Sequence, residues 1–552
     1  VARYLFVPMA EAVVFAMLAS YVLSRTLVPT MAKYLLKAHQ PHGHGGGSLP
    51  AEASAKAGNP FARAQRALDR GFVRMRAAYR ATLERCLARR GAFAVGFLLL
   101  CGVSFALLPS IGEDFFPAVD SGQFKLHVRA PTGTRIEETA ALCDAVDGTI
   151  RDVIPKAQIE SIIDNIGLPY SGLNLSYTSS APIGAQDADV LVALTENHKP
   201  TAAYVHDLRF ELARRFPGVQ FSFIPADIVS QILSFGLPSP IDVQIVGRDY
   251  DANRRFASVL MSKILEIPGI VDLRVHQVAN QPSFEVDVNR TRAAQVGLTQ
   301  RDVANNLLVS LSGSAQTSPT FWLNPATGVT YSVATMTPQY RMSSLQDLET
   351  IPVAAAGSTE RSLMLEGVAS IRRDAGLAIV SHYNVQPVID IYGSVQGRDL
   401  GGVANDLGPI VEASKKDLPR GSQIVVRGQI ETMRTSFIGL LAGLGLAIVL
   451  VYLLIVVNFQ SWLDPFIIIS ALPAALAGIV WLLFVTHTTI SVPALTGAIM
   501  CMGVATANSI LVVSFAKDEL ARGRAPLAAV LDAGFGRFRP VLMTALAMII
   551  GM

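Results

Sequence analysis

The sequence predicts a membrane α-helical bundle carrying an α+β domain outside the cytoplasm, with ferredoxin-like βαβ repeats in that domain. Three observations predict it. Hydrophobic residues make up 51% of the 552 residues and charged residues only 16%, where a soluble globular chain carries roughly a quarter. Several apolar stretches approach the roughly 20 residues that a helix needs to cross a bilayer. Between them, residues 112–431 alternate strand-like and helix-like patterns over a length suited to two or three compact units.

The spans come first. An apolar run from about Leu5 to Pro29 carries Glu11 and Arg25 and places a membrane helix over residues 1–33. Gly91–Leu108 predicts a second, over 91–109. Phe437–Val457, Phe466–Val485 and Val492–Phe515 predict three more, over 436–458, 465–486 and 492–515. A further span is expected to start at Pro540 and to run, cut short, through 540–552, with Pro540 in its first turn. The first residue is not Met and the last apolar run stops at Met552, so the chain reads as part of something longer.

Basic residues set the orientation. The segment 34–90 holds Arg63, Arg66, Arg70, Arg74, Arg76, Arg80, Arg85, Arg89 and Arg90. The segment 516–539 holds Lys517, Arg522, Arg524, Arg537 and Arg539. The loops His487–Ser491 and Asn458–Asp464 have no Lys or Arg. Both basic segments are therefore expected in the cytoplasm, and Gly112–Glu431 on the far side, the periplasm of a Gram-negative cell. Within the basic linker, Phe61, Leu68, Phe72, Met75, Tyr79 and Leu83 recur at helical spacing. Two readings stand side by side: a helix lying on the anionic inner leaflet, or a connector whose charge only fixes topology. His39, His42 and His44 precede a Gly-rich run and read as flexible linker, because nothing organises them into a metal site.

In the outer domain, Gln123–Arg129, Ile159–Ile163, Asp189–Leu194 and Val219–Ile224 read as strands, with helices over Arg135–Val153 and Ala202–Phe216. That is strand-helix-strand twice, a split βαβ repeat of the ferredoxin-like kind. The pattern returns with Ile241–Val246, the helix Asp251–Ile267 and Val271–Val275. It returns again with Val388–Tyr392, the helix Val403–Leu418 and Gln423–Arg427. The stretch 279–381 reads as an insertion.

Enzymatic motifs are absent: no phosphate-cradling Gly loop, no G-x-S-x-G and no H-E-x-x-H. Asp187 and Asp189 are expected to flank a turn and a strand edge rather than to catalyse. No cofactor is called for. The net charge of +3 gives no reason to invoke nucleic acid. Cys86, Cys101, Cys143 and Cys501 show neither metal-ligand nor disulfide spacing. Gly439 and Gly443 form a G-x-x-x-G that permits close helix packing.

Three motifs are specific. Gly503-Val504-Ala505-Thr506-Ala507-Asn508-Ser509-Ile510-Leu511 leads into Phe515-Ala516-Lys517-Asp518. Arg537-Phe538-Arg539-Pro540-Val541-Leu542-Met543-Thr544 follows, and Leu298-Thr299-Gln300-Arg301-Asp302-Val303 lies in the insertion. With the order of parts, these resemble the C-terminal half of the drug-exporting permeases of the resistance-nodulation-division (RND) family. The resemblance covers essentially the whole chain. It implies porter subdomains over 112–235 and over 236–278 with 382–431, and a docking subdomain over 279–381. It implies a proton-driven inner-membrane transporter, not an enzyme. It further implies a homotrimer in contact with membrane lipid, a periplasmic adaptor, an outer-membrane channel and small amphiphilic substrates.

Arg537 and Thr544, seven apart, share a helical face. The resemblance places them in a proton-relay network, with Asn508 as a polar neighbour. A Lys usual in that network is replaced by Ala507, so the standard charge pair cannot form. Gly167, Leu168, Tyr170, Ser171 and Gly172 resemble the switch loop of the substrate pocket, with Phe235, Phe221, Phe223 and Ile232 as further lining candidates. For Phe221 and Phe223, plain core packing is an equal reading. A metal-exporting relative is the nearest alternative; Met261, Met336, Met342 and Met364 are scattered rather than clustered. A membrane-tethered scaffold or sensor with altered ion coupling is another.

Overall fold

The computed structural model describes residues 2–35, 60–117, 119–168, 182–234, 236–315, 317–355 and 362–551. Among them, five helical segments are long and apolar enough to cross a membrane: Arg90–Ser110, Gln429–Phe459, Leu463–Val485, Val492–Ala521 and Pro526–Ile550. Ahead of these stand α1 (Ala2–Leu35) and α2 (Pro60–Ala88), and the first of the five is α3 (Arg90–Leu107) with a short turn after it. Their apolar side chains face outward: Leu98, Leu99, Leu454 and Val457 are all exposed. A surface of that kind matches lipid tails rather than water.

Two details of the spans differ from expectation. The span expected over 465–486 is present as Leu463–Val485, but its helix is interrupted at Ser470 and Ala471. Pro473 has no N–H for the carbonyl of Ile469 and its ring crowds that carbonyl, which favours the interruption. The last span starts at Pro526, not Pro540, and the stretch 516–539 is mostly helix, with Gly523 (φ 84°) in the turn at 522–525. Pro526 takes the first helical position that Pro540 was expected to take. Pro540 sits inside the helix, where it removes the bond to the Gly536 carbonyl and its ring crowds that carbonyl.

Among the described residues the outer body holds two large sheets, each covered by helices on one face, and smaller two-stranded sheets in the insertion. In the first, β1 (Gln123–Arg129), α4 (Ile136–Val153), β2 (Ile159–Ile166), β3 (Asp187–Leu194), α5 (Thr201–Arg215) and β4 (Gln220–Ile224) give the antiparallel order β2-β3-β1-β4. Leu126, Val128, Val190, Ile150, Leu208 and Leu212 are fully buried between this sheet and its helices. The second sheet is built from β5 (Ile241–Val246), α6 (Tyr250–Leu265) and β6 (Ile270–Val275), and is completed after the insertion. The insertion pairs β7 (Gln281–Val288) with a late strand, carries α7 (Gln300–Ser312) and projects a hairpin of β8 (Thr320–Leu323) and β9 (Thr330–Val333). A reciprocal capping box, Thr299 with Asp302, starts α7.

The late strands are β10 (Ala369–Gly376), β11 (Ser381–Tyr383), β12 (Gln386–Val395) and β13 (Gln423–Gly428), with α8 (Leu400–Ser414) before the last. β12 pairs with β5 on one side and with β6 and β11 on the other, and β5 also pairs with β13. β13 runs directly into α9 (Gln429–Phe459) at Gly428, which has φ 84° and lies against the Pro240 carbonyl, leaving no room for a side chain. The remaining membrane helices are α10 (Leu463–Ile469), α11 (Leu472–Val485), α12 (Val492–Ala521) and α13 (Pro526–Gly551).

A strap ties the body to the membrane. Residues 112–115 leave α3 and pair with the α11–α12 loop: Asp114 N–H donates to Ile490 O (2.9 Å) and Ile490 N–H to Gly112 O (2.8 Å). The same strap holds the start of α8, with Gly401 N–H on Glu113 O (2.7 Å) and Leu400 N–H on Asp114 Oδ1 (2.8 Å).

Candidate functional site

Strand alternation builds a charged face opposite each helical layer. In β1, Phe124, Leu126 and Val128 turn to the helices, so Lys125, His127 and Arg129 turn away. The register sets Arg129 against Asp187 and His127 against Asp189. Arg129 grips Asp187 with two bonds, at 2.8 and 3.1 Å. His127 Nδ1 lies 2.8 Å from Asp189, and Lys125 Nζ lies 3.1 Å from the same carboxylate. Asp187 also accepts the Ile183 N–H at 2.7 Å. Asp187 and Asp189 are thus not at a strand edge: β3 is an inner strand, and both carboxylates are buried. Lys125 and Arg129 on the neighbouring strand make that burial tolerable.

The two sheets meet through charged groups. Arg129 Nη1 donates to His276 O at 3.2 Å. Arg209 of α5 holds Asp272 of β6 bidentately, at 3.0 and 2.6 Å, and Asp272 also accepts the Phe223 N–H. Burial, reinforced by Arg129 and Arg274, pushes His276 down to about 3, so its imidazole is neutral. Burial and Arg129 also lower Arg274, to about 10. A cavity of about 370 Å³ opens at this junction, near the strap, lined by Phe116, Arg209, Phe223, Pro240, Arg398 and Gln429 among others.

On the second sheet, β5 reads Ile-Asp-Val-Gln-Ile-Val, alternating apolar and polar. Asp242 is 0% exposed and Asp390, on β12, is 4% exposed. Gln244 Nε2 donates to both, at 2.8 and 3.0 Å. Gln277 Nε2 donates to Asp390 at 2.6 Å, while Gln277 Oε1 accepts the Asp390 N–H. Arg427 fixes the Gln244 amide through its oxygen at 2.9 Å. Asp242 Oδ1 has no partner among the described residues. Burial and the charge of Asp390 push Asp242 up to about 8, and burial raises Asp390 too. Two buried carboxylates sharing one amide cannot both ionise cheaply, so the pair holds a proton near neutral pH. Sequence reading missed this pair, which is separated by 148 positions. The polar alternation inside an apolar strand was its only local signal.

Gly167 follows β2 with φ 79°, its N–H on Asp187 O at 2.8 Å, and Leu168 is exposed. Tyr170, Ser171, Gly172 and Phe235 lie outside the described residues. Phe223 packs on Phe124 and Phe221 on Phe216, both against the helical core, while Ile232 is exposed. In the membrane, Asn508 is half-buried on α12. The Thr544 hydroxyl donates to Pro540 O at 2.6 Å. The Arg537 guanidinium lies 4.8 Å from the Phe515 ring centre. The structure forms no hydrogen bond among these three. Around Gly439 and Gly443 an added Cβ would meet nothing within 4 Å, so no described helix packs there.

Residues 1–552 match the model of the AcrB/AcrD/AcrF family. Protein HelA of Legionella pneumophila is 24% identical over 560 residues, 99% of this chain and 49% of that protein. The cobalt-zinc-cadmium resistance protein CzcA of Cupriavidus metallidurans is 24% identical over 99% of this chain and 49% of its own length. The cation efflux system protein CusA of Escherichia coli K12 is 24% identical over 94% of this chain and 46% of its own length. An X-ray crystal structure of a heavy metal efflux pump superposes with TM-score 0.66 at 23% identity, covering 86% of this chain and 47% of that one. The chain spans about half the length of the curated relatives it matches.

Proposed function

The chain belongs to the AcrB/AcrD/AcrF family of inner-membrane permeases, and from that premise we propose that it is part of a proton-driven pump exporting metal cations. The cation assignment is carried by the likeness, over 94–99% of the chain, to relatives named for cation efflux and cobalt-zinc-cadmium resistance. It favours the metal-exporting alternative over the amphiphile-exporting branch expected from the motifs. The scattered methionines argue against a soft, thioether-lined path only. Among the described residues no group of three or more His, Cys, Asp or Glu could hold a metal ion, so the cation reading is supported by the relatives alone.

The proposal includes the family assembly: a homotrimer with an adaptor and an outer-membrane channel. It keeps the divisions 112–235, 236–278 with 382–431, and 279–381 as two porter subdomains and a docking insertion. The sheet order β2-β3-β1-β4 supports the ferredoxin-like reading of the first. Loop 167–172 and Phe235 are retained as the substrate-facing segment. Arg537, Asn508 and Thr544 are retained as proton-relay candidates. Movement of α11 and α12 would reach the body through the strap at 112–115, tilting α8 and the second sheet.

The test is transport by the full-length protein in proteoliposomes under an imposed pH gradient. Gradient-dependent movement of Zn²⁺ or Co²⁺ supports the reading. Movement of an amphiphilic dye without any metal returns the assignment to the drug branch. Movement of neither points to the scaffold.

A further inference from the structure

We propose that Arg209 and Asp272 form a releasable latch between the two large sheets of the outer body. Made, it fixes the joint as described; broken, it lets β6 swing away from β4 and widens the junction cavity. Each sheet packs its own apolar core with its own helices, and the two cores share no residue. The sheets meet at edge strands: among the described residues β4 pairs only with β1, and β6 only with β12. Charged and hydrogen-bonded groups carry the joint. A polar joint between separately packed units favours relative motion over one rigid block.

Asp272 is shaped for this joint. Its φ of 55° puts a left-handed residue inside a strand, a conformation that residues other than Gly seldom adopt. In the pairing of β6 with β12, Asp272 and Leu273 together face the single residue Gly393, a bulge that re-aims the side chain. The carboxylate leaves its own sheet and accepts the Phe223 N–H at 3.2 Å, on the edge of β4 where a further strand would bond. Arg209 closes on the same carboxylate with bonds of 3.0 and 2.6 Å, its guanidinium 4.9 Å from the Phe223 ring centre. Strained backbone of this kind collects at switch regions and ligand clamps. The junction cavity opens on Arg209, Phe223, Ser394 and Phe116 beside the strap. Arg129 also reaches across, but by one bond, and Asp187 of its own sheet keeps it paired after release. The tilt of the second sheet under the proposed transport cycle, on which this inference rests, draws Asp272 away from Arg209.

The experiment measures the distance between spin labels on Ala202→Cys of α5 and Ala413→Cys of α8, both exposed, in the full-length protein in proteoliposomes with its native cysteines replaced. At rest the wild-type joint is expected to give one narrow distribution. Asp272→Asn, which keeps the left-handed backbone, and Arg209→Gln are each expected to add a population at longer distance. Arg209→Lys keeps the charge without the fork and is expected to fall between; it also serves where a neutral variant fails to fold. Arg214→Gln, which breaks a pair with Glu211 inside α5, is expected to change nothing. Under a pH gradient with Zn²⁺, the wild-type protein is expected to acquire the longer population. Unchanged distances in the folded latch variants, an equal change in Arg214→Gln, or a transporting wild-type protein that never shows the longer population would overturn the latch. A protein that moves no substrate sinks the transport reading instead, and the comparison at rest still decides whether the latch holds the joint.

Discussion

Asp242 is where single-residue chemistry sets a property of the body. Its folded-state pKa is raised to about 8, from roughly 3.9 when unfolded. Such an acid contributes stability that is complete below the unfolded value and is lost as pH rises through 8. His276 has the opposite sign. Held down to about 3, it contributes stability above roughly 6.5 that is lost as pH falls. Between pH 4 and 6.5 the two slopes oppose each other, so the net loss of stability falls between 6.5 and 8. Thermal melts of the outer body are expected to decline across that window, by order ~1 kcal/mol per pH unit. Asp242→Asn removes the decline and exposes a rise from pH 4 to 6.5. A wild-type profile flat from 6.5 to 8 would contradict the shared proton. Asp187 makes a second prediction. Asp187→Asn strands the buried Arg129 and is expected to cost about 3–5 kcal/mol in denaturant unfolding. Adding Arg129→Leu should recover much of that loss. The partner of Asp187 lay 58 residues away, so no local pattern could name it.

Among the elements, α13 and its neighbours carry the largest difference between expectation and structure. Proline at a helix start and proline inside a helix leave the same mark in sequence. Pro526 could claim the start because Arg522–Ala525 closes a turn on Gly523, and the helix then tolerates Pro540 at the loss of one bond and the crowding of the Gly536 carbonyl. The docking of α2 was legible only as an amphipathic stripe. Its partner, the small residue Gly534, became visible when the two helices crossed. Gly534→Val is expected to push α2 off α13 and to speed proteolysis within 60–88. Unchanged cleavage of that variant would mean that α2 is held elsewhere. The βαβ pattern was readable strand by strand because each strand alternates with period two. Strand neighbours, and hence which charged faces meet, were not.

At the scale of the whole molecule, the strap at 112–115 couples membrane helices to the outer body. The paired residues Glu113 and Ile490 lie in a β-bridge, a separation of about 5 Å that a disulfide spans. The double variant Glu113→Cys/Ile490→Cys is expected to lose transport when oxidised and regain it on reduction. Full transport in the oxidised state would make the strap a passive joint. By itself, the sequence determined the membrane character, the side on which the basic segments lie and the alternating elements of the body, because hydropathy and periodicity act over a few neighbouring residues. The tertiary structure decided the partners of Asp187, Asp242 and Arg537, the break at Ser470 and the seat of α2. Each of those depends on groups brought together from distant positions, and a buried charge or a close helix crossing has meaning only once both sides are in place.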